Sequence, residues 1–309
     1  MKPISDSLRG RISDNLFPAA RQAVEPWESF RWHGSGGECD TWQRNSSQAL
    51  AIDVFGTLKM AEQEERERAL GGLARRLGVA AKGPWKVELE WQDATNRLRE
   101  PRPTQVDAVA AGRGALIFFE CKFTESAAGD CSQTHPLGRG HHAGQVQCDG
   151  RYRSQVNPVT KVESRCALTG KGIRYWERIP RLFRDRGETD DGPCPFAGPW
   201  FQWMRNVVLC EWVASHEQLT PAFVVVYADA PGLPFAEKMR RQGMADFQAA
   251  LRPEAITFQA ISYQSLLAVA EEAASGAGMD TAQWQRLREW VETKINDAAM
   301  LRHGRSAGR

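Results

Sequence analysis

Asp107, Glu120 and Lys122 are the residues whose types and spacing best suit chemistry. The most apolar run of the chain, Ala115-Leu116-Ile117-Phe118-Phe119, leads straight into Glu120-Cys121-Lys122. Side chains alternate along a strand, so Glu120 and Lys122 share one face and Cys121 takes the other. Upstream, Ala111-Gly112-Arg113-Gly114 has the composition of a hairpin turn. With the turn centred near Gly112-Arg113, Asp107 falls opposite roughly residue 118 or 119, within cross-strand reach of Glu120. Unpaired charges at the end of so apolar a strand are costly to bury. A divalent cation would compensate them, because paired carboxylates offer the hard oxygen ligands that Mg²⁺ (or Mn²⁺) takes. Such an ion lowers the pKa of a bound water, and a lysine can orient that water or stabilise charge at an attacked phosphorus. Two acids and a lysine are thus the parts of metal-assisted phosphodiester hydrolysis. The plainer alternative is a structural Glu120–Lys122 ion pair with Asp107 merely nearby.

A sheet must position these groups. Three strand-like runs occur in series: "WKVELEW", whose Val87-Glu88-Leu89-Glu90-Trp91 alternates at period two, then "QVDAVAA" and "ALIFFECKF". Ahead of them, Asn45-Ser46 is a capping pair for a helix over "SSQALAIDVFGTL", with Leu50, Ile52, Phe55 and Leu58 turned to a core. The charged "AEQEERERALGGLARRLG" reads as a second helix with a solvated face, ended by Gly78. Past residue 198 come a helix "PWFQWMRNVVLCEWVASHE", a buried strand "AFVVVYA", a helix "PFAEKMRRQGMADFQAAL", a strand "AITFQAIS", a helix "YQSLLAVAEEAA", and a last helix from Asp280. Antiparallel strands followed by strand–helix alternation predict a mixed α/β sheet with helices on both faces. The expected organisation is a loosely structured arm over 1–44 and a central domain over 45–275. An insertion at about 126–198 interrupts that domain, and a helix with a basic tail covers 276–309.

Composition narrows the class without naming a function. A net charge of +2 does not announce a nucleic-acid binder, and no window is apolar enough to span a membrane. The first residues lack the apolar core of a secretory signal. Seven cysteines, an odd number, argue against a disulfide framework. A cytoplasmic protein is the expectation.

The motif residues resemble the PD-(D/E)XK nuclease superfamily, the restriction-endonuclease-like fold, in its bacterial restriction-endonuclease-like branch. The motif reads Pro103-Thr104-Gln105-Val106-Asp107, then Glu120-Cys121-Lys122, alongside "SSQAL…FG", "E-x-K-F-T-E" and "Q-x-x-R-N". Pro103 is not adjacent to Asp107, which departs from the superfamily's literal pattern. The likeness covers roughly Ser46 to Ser275 around the insertion and implies an α-βββ-α-β core. It implies Asp107 and Glu120 as ligands of Mg²⁺ (or Mn²⁺), with Lys122 orienting water or stabilising charge. Asp53, the acid within "SSQALAIDVFG", is the candidate for a further metal ligand, or else a solvated helix residue. Gln202 resembles a glutamine that some nucleases of this fold place near the metal, and Arg205 lies at helical spacing from it. The implied activity is Mg²⁺-dependent hydrolysis of DNA, endonucleolytic rather than exonucleolytic, in defence or repair. A non-catalytic nucleic-acid-binding protein of the same fold is the alternative, and a homodimer is compatible with either.

The Cys-, His- and Arg-rich insertion, with one short helix expected around "YWERIPRLFRD", carries its own candidates. "CSQTHPLGRGHHAGQVQC" holds Cys131, His135, His141, His142 and Cys148, with Cys166 and Cys194 farther on. Cys and His could bind Zn²⁺ tetrahedrally, although the spacing matches no standard finger. An iron–sulfur site, as some nucleases of this fold carry, and free thiols with surface histidines are the other readings. The segment is also basic, from Arg151 through Arg186, with Tyr152, Tyr175 and Trp176 interleaved. Arg151, Arg153, Lys171 and Arg174, with Arg205 beyond the insertion, are the expected DNA contacts.

Overall fold

The computed structural model describes residues 4–35, 38–125, 129–184, 191–241, 244–276, 278 and 280–306. Ser126, Arg186 and the last three residues of the basic tail lie outside the described residues. The elements begin with helix α1 (Asp6–Asp14) and α2 (Ser47–Ala51), which continues through a π-helical turn, Ile52–Gly56, and a last turn, Thr57–Met60. Helix α3 (Gln63–Arg76) follows, then strands β1 (Lys82–Gln92), β2 (Gln105–Arg113) and β3 (Ala115–Lys122). After the insertion come α4 (Phe201–Glu217), β4 (Thr220–Tyr227), α5 (Pro234–Arg241), β5 (Thr257–Ser262), α6 (Tyr263–Ser275) and α7 (Ala282–Ser306).

The five strands form one mixed sheet in the order β1-β2-β3-β4-β5. Pairs β1–β2 and β2–β3 are antiparallel, whereas β3–β4 and β4–β5 are parallel. The tight turn after β2 permits only an antiparallel partner, while a parallel partner needs a crossover, which α4 and α5 supply. The central strand β3 is buried along its whole length. Its alternation feeds two cores: Ile117, Phe119 and Cys121 pack with α2, α3, α6 and α7, while Leu116 and Phe118 pack with α4 and α5. Burial of each large apolar side chain contributes roughly 1.5–3 kcal/mol. That packing anchors the strand that carries Glu120 and Lys122.

Two expectations change here. Among the described residues of 1–44 the segment is not a loosely structured arm, because Ile12, Leu16, Ala20, Val24, Trp27 and Trp32 are buried in the core that holds α2 and α3. Helix α7 enters the same core through Trp284, Leu287, Val291 and Ile295, a stripe at helical spacing. The insertion shares the core of the domain it interrupts. Leu168, Ile173, Tyr175, Ile179, Leu182, Phe183 and Phe196 belong to the α4 core. Its predicted helix around "YWERIPRLFRD" shrinks to one turn at Ile179–Leu182, after a short 3-10 turn at Tyr175–Glu177. Among the described residues, no helix is long and apolar enough to cross a membrane.

Candidate active site

Strand register brings the acids together. Val109 pairs with Phe118 and Ala108 with Phe119, and one step further Asp107 stands opposite Glu120. The turn is therefore at Arg113–Gly114, with Gly112 paired to Ala115. This is one residue later than expected, which moves Asp107 from residue 118 or 119 to Glu120. Gly114 takes φ +91°, open to glycine at no steric cost, and that choice sets the register. On the other side of β2, Leu89 pairs with Ala108 and Trp91 with Val106, so Glu90 stands opposite Asp107. Three acids thus occupy one row across β1, β2 and β3.

Their counter-charges are unevenly distributed. Lys122 Nζ pairs with Glu120 at 2.7 Å, both groups being buried, and His33 Nε2 meets Glu90 at 3.0 Å. Asp107 accepts the backbone N–H of Cys121 at 2.7 Å and has no salt bridge among the described residues. Burial, then Glu120, then Glu90 push the Asp107 carboxyl well above the usual carboxylate range. Burial alone would pull Lys122 down, but Glu120, Glu125 and Asp107 outweigh it and hold the ammonium above its ordinary value. His33 behaves alike: burial lowers it, and Glu90, Asp107 and Asp40 bring it up to about 9. The row carries one more negative group than the cations beside it can offset.

Side-chain amides frame the acids. Gln48, on α2, donates to Glu90 Oε1 at 2.6 Å and accepts the His33 backbone N–H at 2.8 Å; Gln105 also donates to Glu90. From α4, Gln202 Oε1 accepts from Lys122 Nζ at 3.0 Å, and Asn206 Nδ2 donates to Glu120 Oε2 at 2.7 Å. These two residues lie one helical turn apart and so face the same way. Asn206 is fully buried and its Oδ1 has no partner. A cleft of about 310 Å³, lined by His33, Asp40, Gln48, Thr124 and Glu125 among others, adjoins the row. Ligand atoms of His33, Glu90 and Asp107 lie within 4.8 Å of one another. That close group offers two carboxylate oxygens and one imidazole nitrogen, with Glu120 next in the row but not part of it, and such donors would accept a divalent cation.

The remaining expected site residues go elsewhere. Asp53 does not join the row: it is fully buried and takes Lys294 Nζ at 2.6 Å, the Phe17 N–H at 2.6 Å and Trp290 Nε1 at 3.0 Å. It ties the N-terminal segment and α7 to α2, which is why a helix residue so acidic is neither solvated nor near the other acids. Arg205 stands near Tyr175, not beside Gln202's partner Lys122. Arg153 pairs with Asp149, Arg174 with Glu177 over the Trp212 ring, Arg151 with the Asp191 carbonyl, and Lys171 with Gln133. Arg153 and Arg174 thus have carboxylate partners, whereas Arg151 and Lys171 donate to neutral groups. Backbone hydrogen bonds tie the loops that carry Cys131, Cys148 and Cys194 together, but no three of the four insertion cysteines bring their sulfurs within 4.8 Å of one another, and His135 is exposed.

Sequence reasoning missed Glu90, His33, Gln48 and Asn206. Gln48 and Asn206 sat in plain view inside "SSQAL" and "Q-x-x-R-N", the second one turn beyond Gln202. Glu90 was indistinguishable from Glu88, its neighbour in the alternating strand. Residues 7–287 match the family described as restriction endonuclease associating with ARP, and the chain belongs to that family. Comparison with curated proteins and with solved structures gives no match.

Proposed function

We propose that this member of the family is a metal-dependent nuclease of PD-(D/E)XK type, hydrolysing DNA phosphodiester bonds as an endonuclease, in defence against foreign DNA or in repair. The observation that carries this reading is the row Glu90–Asp107–Glu120, with Asp107 short of a counter-charge and Lys122 held beside it. Asp107 and Glu120 would hold Mg²⁺ (or Mn²⁺), and Glu90 is a third oxygen donor next to them. Such an ion supplies a water of lowered pKa and neutralises charge on the phosphate. Lys122 remains an ammonium in these surroundings, so its role is to stabilise developing negative charge rather than to abstract a proton. Glu120 and Gln202 fix its position, and Asn206 fixes Glu120. Burial, Glu120 and Glu90 raise the Asp107 carboxyl, so a cation there would compete with a proton, which couples binding to pH.

Cleavage of circular and linear DNA, with Mg²⁺ or EDTA, tests the proposal against a Lys122→Ala variant. Wild type should nick or linearise circles only with the metal, and the variant should be slower by roughly 10²–10³-fold. Cleavage in EDTA, or equal cleavage by both proteins, would overturn it. Salt-dependent DNA binding with no cleavage under any metal would favour the non-catalytic binder.

A further inference from the structure

The first turn of α4 borders two separate places. Gln202 Oε1 accepts from Lys122 Nζ at 3.0 Å beside the carboxylate row, while Trp203, the next residue, lines a second cavity of about 270 Å³. Trp200, just ahead of α4, shares that wall with Lys238, Met239, Asp246 and Phe247. Ring packing fixes the aromatic part. Trp200 and Trp203 both meet Phe247 edge to face, with centroids 5.5 and 5.4 Å away. Trp203 also packs on Phe235 of α5 and Phe258 of β5. Pockets for drug-sized ligands run from about 300 to 1,000 Å³, so this one suits a single small ring system.

The polar groups of this wall are unspent. Trp203 is 3% exposed, and its indole N–H is buried with no acceptor. A buried donor left unpaired is costly, and an indole N–H can only donate. Among the described residues no salt bridge or side-chain hydrogen bond engages Lys238 or Asp246. The cavity therefore offers two donors and one carboxylate, set among rings.

That combination selects a base. Aromatic side chains stack on any nucleobase, and Trp200 is half-buried at the cavity wall. The indole N–H and the ammonium require acceptors, whereas the carboxylate requires donors. Guanine supplies both, through O6 and N7 as acceptors and through its amino group as a donor. Its ring N–H lies next to that amino group, so a carboxylate can take the two donors together. In adenine and cytosine the amino group is flanked by a ring acceptor that repels a carboxylate, and thymine has a single N–H to give.

We propose that this cavity holds a guanine base, presented by a DNA strand or by a free nucleotide. Trp203 follows Gln202 directly, and nucleotides step by about 3.4 Å along a strand. A base seated here lies a few nucleotides from a phosphate at Lys122. The strand source rests on the nuclease reading, whereas recognition of the base does not.

Binding to the full-length protein in EDTA tests the proposal with no need for cleavage. Anisotropy of short labelled thymidine oligonucleotides, each with one central guanine or adenine, reads the strand source. Calorimetry with the monophosphates of deoxyguanosine and deoxyadenosine reads the free one. Guanine should be preferred by roughly 5–150-fold in at least one of these formats. Asp246 is exposed, so Asp246→Asn should keep the fold and lose the preference. Trp200→Ala should weaken guanine binding by roughly 5–150-fold. A preference confined to the monophosphates supports the pocket and assigns it to a free nucleotide. Guanine binding without cleavage under any metal would sink the nuclease reading and leave the pocket standing. Equal affinity for guanine and adenine, or a preference that both variants keep, would overturn the proposal.

Discussion

Replacing Asp53 by Asn separates an architectural acid from a metal ligand. In the folded chain Asp53 is fully buried and its partner Lys294 is only 6% exposed. Asn preserves volume and can still accept the Phe17 N–H, but Lys294 is left as a buried cation with no carboxylate, held by the Asn15 carbonyl and the face of the Trp290 ring. Breaking a buried pair from one side costs about 3–5 kcal/mol. Set against a typical stability of about 5–15 kcal/mol, that is a large share. At roughly 2–4 °C per kcal/mol, the melting temperature should fall by about 6–20 °C. Adding Lys294→Met removes the stranded charge and should recover most of the loss. Melting followed by circular dichroism, in EDTA and in Mg²⁺, is the assay. The stabilisation conferred by Mg²⁺ should be the same in Asp53→Asn as in wild type, because the carboxylate row is untouched. An Asp53→Asn protein that melts like wild type yet gains nothing from Mg²⁺ would refute the reasoning and restore Asp53 as a ligand.

The other expectations concern the row itself. Asp107 has a raised folded-state pKa, so its stabilising contribution is complete below the ordinary value of about 3.9 and is lost as pH rises through the folded value. In EDTA, Asp107→Asn should flatten that loss in thermal melts taken across pH, and parallel curves for the two proteins would contradict this. His33 titrates at about 9 because of its acidic neighbours. Mg²⁺ among those acids should move it toward the ordinary value of about 6.5, seen by NMR of the imidazole; an unmoved titration would mean the ion binds elsewhere. Glu90→Gln should raise the Mg²⁺ concentration needed for cleavage by roughly 10–100-fold, and an unchanged requirement would remove Glu90 from the site.

The hairpin was legible because its signals are local. An apolar run, a Gly-rich turn and period-two alternation put Asp107, Glu120 and Lys122 on one sheet and Cys121 in the opposite core. The one-residue error in register came from Arg113-Gly114: either glycine of "AGRG" can start a turn, and only the folded backbone shows that Gly114 takes the left-handed conformation. Gln202 was legible through the resemblance to nucleases of this fold, on a helix that the sequence pattern places after the insertion. Glu90 was not, since its part depends on Gln48 and His33 arriving from segments far apart in the chain.

By itself, then, the sequence determined the order of strands and helices from Ser47 onward, the identity of the acid–acid–lysine set, and the face each member takes, all consequences of periods of two and 3.6 residues. Tertiary structure decided which charges have partners. It drew Asp53 away to Lys294, added Glu90 to the row, and packed apolar side chains from the described part of residues 1–44 into the core. The reason is physical: side-chain direction follows from local backbone geometry, whereas the compensation of a buried charge depends on whichever distant segment packs against it.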